Sequence, residues 1–215
     1  MRAAAARTDT RDLILDAADR LLARYGYRKM TVDDIAQEVG IGKGTIYLHF
    51  SSKEEVALSR IDRVIDQLKD RLRALARQEA AAPERLRRML LERVLFRFDS
   101  VQHYTESLDD IFATIRPGLL ARRERHFADE AAIFAEVLKE GRRAGLFAFR
   151  DARATARAFV VATNALLPYT LSVGELGDRK IVERETAQIA QLLINGLLVA
   201  PGASTDRSKL RRLTR

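Results

Sequence analysis

Residues Thr31–Phe50, TVDDIAQEVGIGKGTIYLHF, constrain the fold of this chain more than any other stretch, because each change of backbone direction is spelled by a residue type. Thr31 is a helix-capping residue, and Asp34 stands three positions on, where a capping box closes. Met30 and Ile35 occupy the two positions of a hydrophobic staple. Val32, Ile35, Ala36 and Val39 share one helical face. Gly40 then supplies the positive φ that ends a helix, and Ile41 can fold back onto Ala36 and Ile35. A second helix opens near Gly42 or Lys43 and lasts to about Phe50. Two short helices around a glycine turn are the sequence form of a helix-turn-helix.

The flanking sequence reads as helix throughout. Residues 1–8 are expected to be a mobile arm. From about Thr10, the positions Leu13, Ile14, Ala17, Ala18, Leu21, Leu22 and Tyr25 mark a first amphipathic helix, ended by Gly26. Ser52 and Glu55 predict a second capping box, opening a long fourth helix to about Gln78 whose far half leads away from the small head. After the break at Ala80–Pro83, helical spacing resumes through Leu86, Met89, Leu90, Val94 and Phe98. A further helix is expected over Val101–Ile115, a break at Pro117-Gly118, and a helix from Leu119 to Leu138. Ala152–Val173 and Ile181–Val199 read as two apolar helices. Pro168 is expected to kink the first of them. No strand-length alternation appears, so the class is all-α, with about nine helices. The expected domains are a head over residues 8–58, a larger helical body over 59–200, and a basic tail over 201–215.

Composition narrows the function. The chain of 215 residues has no cysteine, which excludes disulfides, thiolate metal sites and cysteine nucleophiles. Its three histidines, His49, His103 and His126, are dispersed, so no metal site and no cofactor is expected. No leader is evident, and the most apolar run, Ala158–Leu171, is too short to span a bilayer; a cytoplasmic protein with no membrane partner is expected. The net charge of +8 permits a polyanionic partner. Yet residues 1–52 hold eight basic against seven acidic side chains, whereas 201–215 hold five against one. The tail is read as a solvated end, with a nucleic-acid contact as the alternative.

On a helical wheel, Ile46 and Phe50 point into the head, while Gly44, Thr45 and Leu48 point out. That arrangement suits a helix in a major groove. Gly44 permits close backbone approach, Thr45 offers a hydrogen bond, and Leu48 can touch a thymine methyl. Lys43, Tyr47 and His49 on the flanks, with Lys53 in the next helix, would reach phosphates. Capped helical hairpins also occur in proteins that never touch DNA, so spacing alone leaves both readings open.

The run from Thr31 to Val56, with its core IGKGTIYLHFSSKEEV, resembles the DNA-binding head of the TetR family of bacterial transcription regulators, and the similarity extends over about residues 8–58. The resemblance implies double-stranded operator DNA as partner, with Thr31, Lys43, Thr45, Tyr47, His49 and Lys53 at positions that commonly contact it. Gly42 departs from the family's frequent capping Ser, Leu48 from a frequent aromatic, and Ser51 from a common basic or small residue. The resemblance also implies a body that binds a small-molecule effector and forms a homodimer.

The body itself carries no motif. The apolar C-terminal helices point to a dimer interface, with Phe159, Leu193 and Leu197 as the expected contacts. Phe96, Tyr104, Phe112, Phe134, Asn164 and Tyr169 are the candidates for lining an effector pocket, and ordinary core packing is the alternative for each. The leading expectation is a repressor that a hydrophobic or amphipathic molecule releases from a palindromic operator. Two other classes stay open: a DNA-binding protein of nucleoid type without ligand control, and a helical enzyme. No nucleophile–base pair supports the enzyme, and Asp109-Asp110 is better read as the start of a helix.

Overall fold

The computed structural model describes residues 2–102, 108–167 and 177–199, with the side chains of 2–9, 108–110 and 112 left out. Eight α-helices and one 3-10 turn follow one another in these residues, with no strand among them. They are α1 (Arg2–Lys29), α2 (Val32–Val39), α3 (Lys43–His49), α4 (Lys53–Ala76), α5 (Ala82–Val101), α6 (Leu108–Arg143), α7 (Ala152–Ala162) and α8 (Arg179–Asn195), with the 3-10 turn at Asn164–Leu166 between the last two. A single antiparallel bridge, Phe147 to Leu198, ties the connector after α6 to the segment after α8.

The head is a three-helix unit. Ile14, Ala17, Ala18, Leu21 and Leu22 of α1, Ile35 and Ala36 of α2, and Ile46 with Phe50 from α3 bury one another. The expected arm over 1–8 is instead helical from Arg2, in keeping with the strong helix-forming run Ala3–Ala6. Gly26 breaks that helix at φ 73, ψ 167, and one more turn follows to Lys29.

The apolar core does not stop at the head. Val56, Ala57 and Leu58 of α4 join the α1–α3 core, and so do Val94 and Phe98 of α5 and Ile111, Ile115 and Leu119 of α6. A second core fills the far part of the molecule with Leu68 and Leu72 of α4, Leu86, Met89 and Leu90 of α5, Phe134, Val137 and Leu138 of α6, Phe159 and Val160 of α7, and Ala190 and Ile194 of α8. Helix α4 runs through both. At 24 residues it is about 36 Å long.

Three sequence expectations, two in the body and one at the start of α4, fail for identifiable reasons. The break expected at Pro117-Gly118 is absent, since α6 runs unbroken from Leu108 to Arg143. Proline costs a helix about 3 kcal/mol. Burial of Ile111, Ile115 and Leu119 on the opposite face outweighs that, at about 1.5–3 kcal/mol for each side chain. Pro117 faces solvent, as does Ala113, whose carbonyl it leaves without a helical partner. Gly118 permits the close approach of α4, because a Cβ there would stand 2.5 Å from Leu58 Cδ1. The helix expected over 152–173 ends at Ala162, and Leu167 is extended at φ −89, ψ 141, the conformation favoured before a proline. The expected Ser52–Glu55 capping box is half-formed. Ser52 Oγ accepts from Glu55 N–H at 3.1 Å, but the Glu55 carboxylate turns to Arg122 of α6 at 2.7 Å.

Candidate nucleic-acid interface

The helical hairpin is punctuated as its sequence predicts. Thr31 Oγ1 accepts from Asp34 N–H at 3.1 Å, and Thr31 N–H donates to Asp34 Oδ2 at 2.8 Å, completing the box. Hydrogen bonds from the Thr31 side chain and then its backbone hold the Asp34 carboxyl below the usual carboxylate range. Gly40 takes φ 75, ψ 33, with open space around a notional Cβ, so glycine serves backbone conformation there and not packing. Ile41 N–H then returns to Ala36 O at 3.0 Å.

Helix α3 presents two unlike faces. Ile46 and Phe50 are 1% and 2% exposed, and the Arg11 guanidinium lies 4.5 Å from the Phe50 ring centre. Opposite them Leu48 is 81% and Tyr47 49% exposed. A leucine standing this far out of a seven-residue helix has no folding role, and that is what makes the face a candidate contact surface. Gly44 has nothing within 4 Å of a notional Cβ, so the backbone itself is accessible. Thr45 and His49 are half-buried at the edges of the face. The His49 ring is tilted 6.4 Å from that of Phe50.

The cations of the site are held differently from one another. Lys43 Nζ pairs with Asp33 of α2 at 2.8 Å on an exposed surface, and that hydrogen bond holds its pKa above the usual lysine value. Lys53 turns inward. Its ammonium donates to Tyr27 O at 2.9 Å and Met30 O at 3.0 Å, and lies 4.3 Å from the Tyr27 ring centre. Burial lowers its pKa. Lys53 thus closes the carbonyl end of the chain leaving α1, with one of its three protons left for an outside acceptor.

The head is strapped to α4 and α4 to the body. Arg60 pairs with Asp19, and Arg63 with Asp16 at 2.7 Å and Asp19 at 3.1 Å, all across α1 and α4. From α6, Arg122 reaches Glu55 at 2.7 Å and Asp62 at 2.5 Å, while His126 Nε2 meets Asp62 at 2.8 Å. Burial would raise the Asp62 carboxyl, but its hydrogen bond to His126 and the charge of Arg122 outweigh that and hold it low.

Of the pocket candidates with described side chains, Phe134 lies in the second core, Phe96 is partly buried against it and Asn164 lies in the 3-10 turn. Phe134 and Phe159 lie edge to face at 6.4 Å inside the second core. Phe96 also borders a cleft of about 450 Å³ lined by Asp19, Arg60, Arg63 and Arg71, with Arg71 stacked 4.6 Å from its ring centre. Asn164 is half-buried in the 3-10 turn. Tyr104 and Tyr169, and the Phe112 side chain, lie outside the described residues, as does the 201–215 tail. Phe159, expected at an interface, is 2% exposed and spent inside the chain; Leu193 and Leu197 are half-buried against the second core. A buried network went unanticipated: Arg93 Nε donates to Glu130 at 2.6 Å, Arg97 donates to both oxygens of that carboxylate, and Arg93 also reaches Thr163 Oγ1 at 2.7 Å. Its signal was present, since Arg93 and Arg97 fall on the same helical stripe as Leu86, Met89, Leu90 and Val94.

Among the described residues no helix is long and apolar enough to cross a membrane, and no three His, Asp or Glu side chains stand close enough to hold a metal.

Comparison with known proteins matches residues 14–59 to the model of the bacterial regulatory proteins, tetR family, and residues 82–189 to the tetracyclin repressor-like C-terminal domain. The Fatty acid metabolism regulator protein of Bacillus subtilis is 36% identical over 73 residues, which are 34% of this chain and 38% of that protein. The chain thus spans well under half the length of that relative. The crystal structure of a transcriptional regulator from Cytophaga hutchinsonii superposes with a TM-score of 0.73 at 20% identity, covering 87% of this chain and 98% of the other. A SmeT–triclosan complex superposes at 0.63 and 20% identity, over 89% and 93% of the two chains. At such identities the likeness is one of fold.

Proposed function

We propose that this chain, which belongs to the tetR family of bacterial regulatory proteins, is a transcription regulator that binds operator DNA as a homodimer and responds to a small molecule. Residues 8–58 form the DNA-binding unit and 59–200 the effector-binding and dimerisation unit. Membership of a family of regulators sets the chain apart from the enzymes. The observation that carries the reading is the outward face of α3, where Leu48 stands 81% exposed beside an open Gly44 on a hairpin whose first helix is capped by Thr31 and Gly40. Gly44, Thr45 and Leu48 meet base edges. Thr31, Lys43, Tyr47, His49 and Lys53 surround them and engage phosphates. For Lys43 this means exchanging Asp33 for a phosphate, and for Lys53 using its remaining proton.

The dimer follows from what the body leaves uncovered. Ala154, Ala158, Val161 and Ala165 form an exposed small-residue stripe along α7 and the turn after it, and Leu192 of α8 is 73% exposed. These take the place of Phe159 as the centre of the interface, with Leu193 and Leu197 at its edge. The effector is a hydrophobic or amphipathic molecule and the regulator a repressor; the match to a tetracyclin repressor-like domain and the triclosan bound to SmeT support this class. Binding favours a state whose two heads no longer fit successive major grooves. The strap from Arg122 and His126 of α6 to Glu55 and Asp62 of α4 is the route by which the body moves the head. A gel shift with palindromic and random duplexes at two salt concentrations tests the reading. A preferred palindrome held at raised salt supports it, and equal affinity with full loss at raised salt overturns it.

A further inference from the structure

The basic side chains of the body are mostly matched to carboxylates: Arg85 to Glu140, Arg87 and Arg88 to Glu84, Arg93 and Arg97 to Glu130, Arg157 to Glu124, and Arg179 to Asp99. Among the described residues Arg77, Arg116, Lys180 and Arg184 also lack such a pair, and five further cations that lack one gather at a single place. The last turns of α6, the connector and the first turn of α7 border an open cleft of about 450 Å³ lined by Lys139, Arg142, Arg143, Arg150 and Arg153. All five are exposed and none makes an ion pair with a carboxylate among the described residues, although Asp151 feels the charges of Arg153 and Arg142, and Arg142 donates to Arg150 O at 3.3 Å and lies 5.2 Å from the Phe149 ring centre. The one acid of the lining, Asp151, is committed to its own helix, its Oδ1 accepting from Arg153 N–H at 2.7 Å and Ala154 N–H at 3.1 Å.

From this geometry we propose that the cleft is a second binding site, for a compact polyanion carrying several linked phosphates. Two features select that class. Cations converge on the space from two helix ends and the connector between them, which matches adjacent charges on one small molecule better than a lone carboxylate. The volume is that of a small-molecule site.

The site is remote from the DNA-binding face. Arg85 donates to Ala76 O, in the last turn of α4, and pairs with Glu140 of α6 at 2.6 Å, so the cleft lies at the far end of a helix about 36 Å long that begins in the head. Loss of operator binding and loss of this site are therefore separable.

Isothermal titration of the full chain with sodium tripolyphosphate at about 0.15 M salt tests the proposal. Saturable binding is expected, with orthophosphate weaker by about tenfold or more. An Arg143→Gln/Arg150→Gln double variant, with unchanged thermal midpoint, should bind tripolyphosphate weaker by about tenfold or more, while Arg143→Lys/Arg150→Lys keeps most of the affinity. No saturation below about 1 mM would overturn the proposal, as would equal binding by wild type and the glutamine variant. The proposal also fails if the glutamine variant loses affinity for random duplex DNA but not for tripolyphosphate, because the surface would then belong to nucleic acid.

Discussion

Replacing Glu130 by Gln removes one charge from the buried network and changes almost no volume. Glu130 and Arg93 are both 0% exposed, and the carboxylate is the shared acceptor of two guanidiniums from α5. The amide of the Glu130→Gln variant would offer one oxygen and turn its protons toward cations that already donate. Breaking a buried pair from one side typically costs about 3–5 kcal/mol, against a total stability of about 5–15 kcal/mol for a domain. With a urea m-value of about 2 kcal/mol per molar, the unfolding midpoint should fall by about 2 M at fixed protein concentration. Glu84→Gln, which breaks the mostly exposed pairs with Arg87 and Arg88, should cost under about 1 kcal/mol. Acid separates the two contributions further. Burial would raise the Glu130 carboxyl, but Arg97 and Arg93 outweigh it, so its pKa lies below the ordinary value. A lowered carboxylate pKa stabilises the fold above the unfolded value of about 4.3, and the contribution fades as pH falls through the folded one. The gap between wild type and Glu130→Gln should therefore be constant from neutral pH to about 5 and close below it. A loss under about 1 kcal/mol at neutral pH would refute the view that this network holds α5, α6 and α7 together.

Three further outcomes are expected. In gel shifts, Tyr47→Ala should weaken binding to every duplex, whereas Leu48→Ala should mainly relax the preferred sequence; an unchanged preference in Leu48→Ala would put the groove-reading face elsewhere. Gly40→Ala should cost about 1–2 kcal/mol in thermal unfolding, from backbone conformation alone, because its Cβ meets nothing within 4 Å. Val161→Glu with Leu192→Glu should yield monomers in sedimentation equilibrium at micromolar protein without lowering the helical signal, and a persistent dimer would exclude the α7–α8 face.

The head was legible because its information is local. Thr31, Asp34, Gly40 and Ser52 act within four residues of themselves, so capping and turn rules place them without knowledge of the rest of the chain. The body was legible as helix but not in its joints. Pro117-Gly118 reads as a break by local rules, and only the packing of Leu58 against Gly118 and the burial of Ile111, Ile115 and Leu119 explain why α6 continues. The inward turn of Lys53 likewise depends on carbonyls more than twenty positions away. The buried arginines were visible on the helical stripe but run against the expectation that arginine faces water, which holds only until a carboxylate such as Glu130 is brought opposite. Phe159 shows the converse: an apolar helix points to burial without saying against which surface.

In the proposed complex two copies of the α3 face read DNA in register with each other. Footprinting on duplexes selected from a random library tests it most directly. Two symmetry-related protected half-sites on one side of the duplex are expected, centred about 34 Å or a multiple of it apart. Uniform protection with no preferred sequence, or a single half-site bound by a dimer, would contradict it.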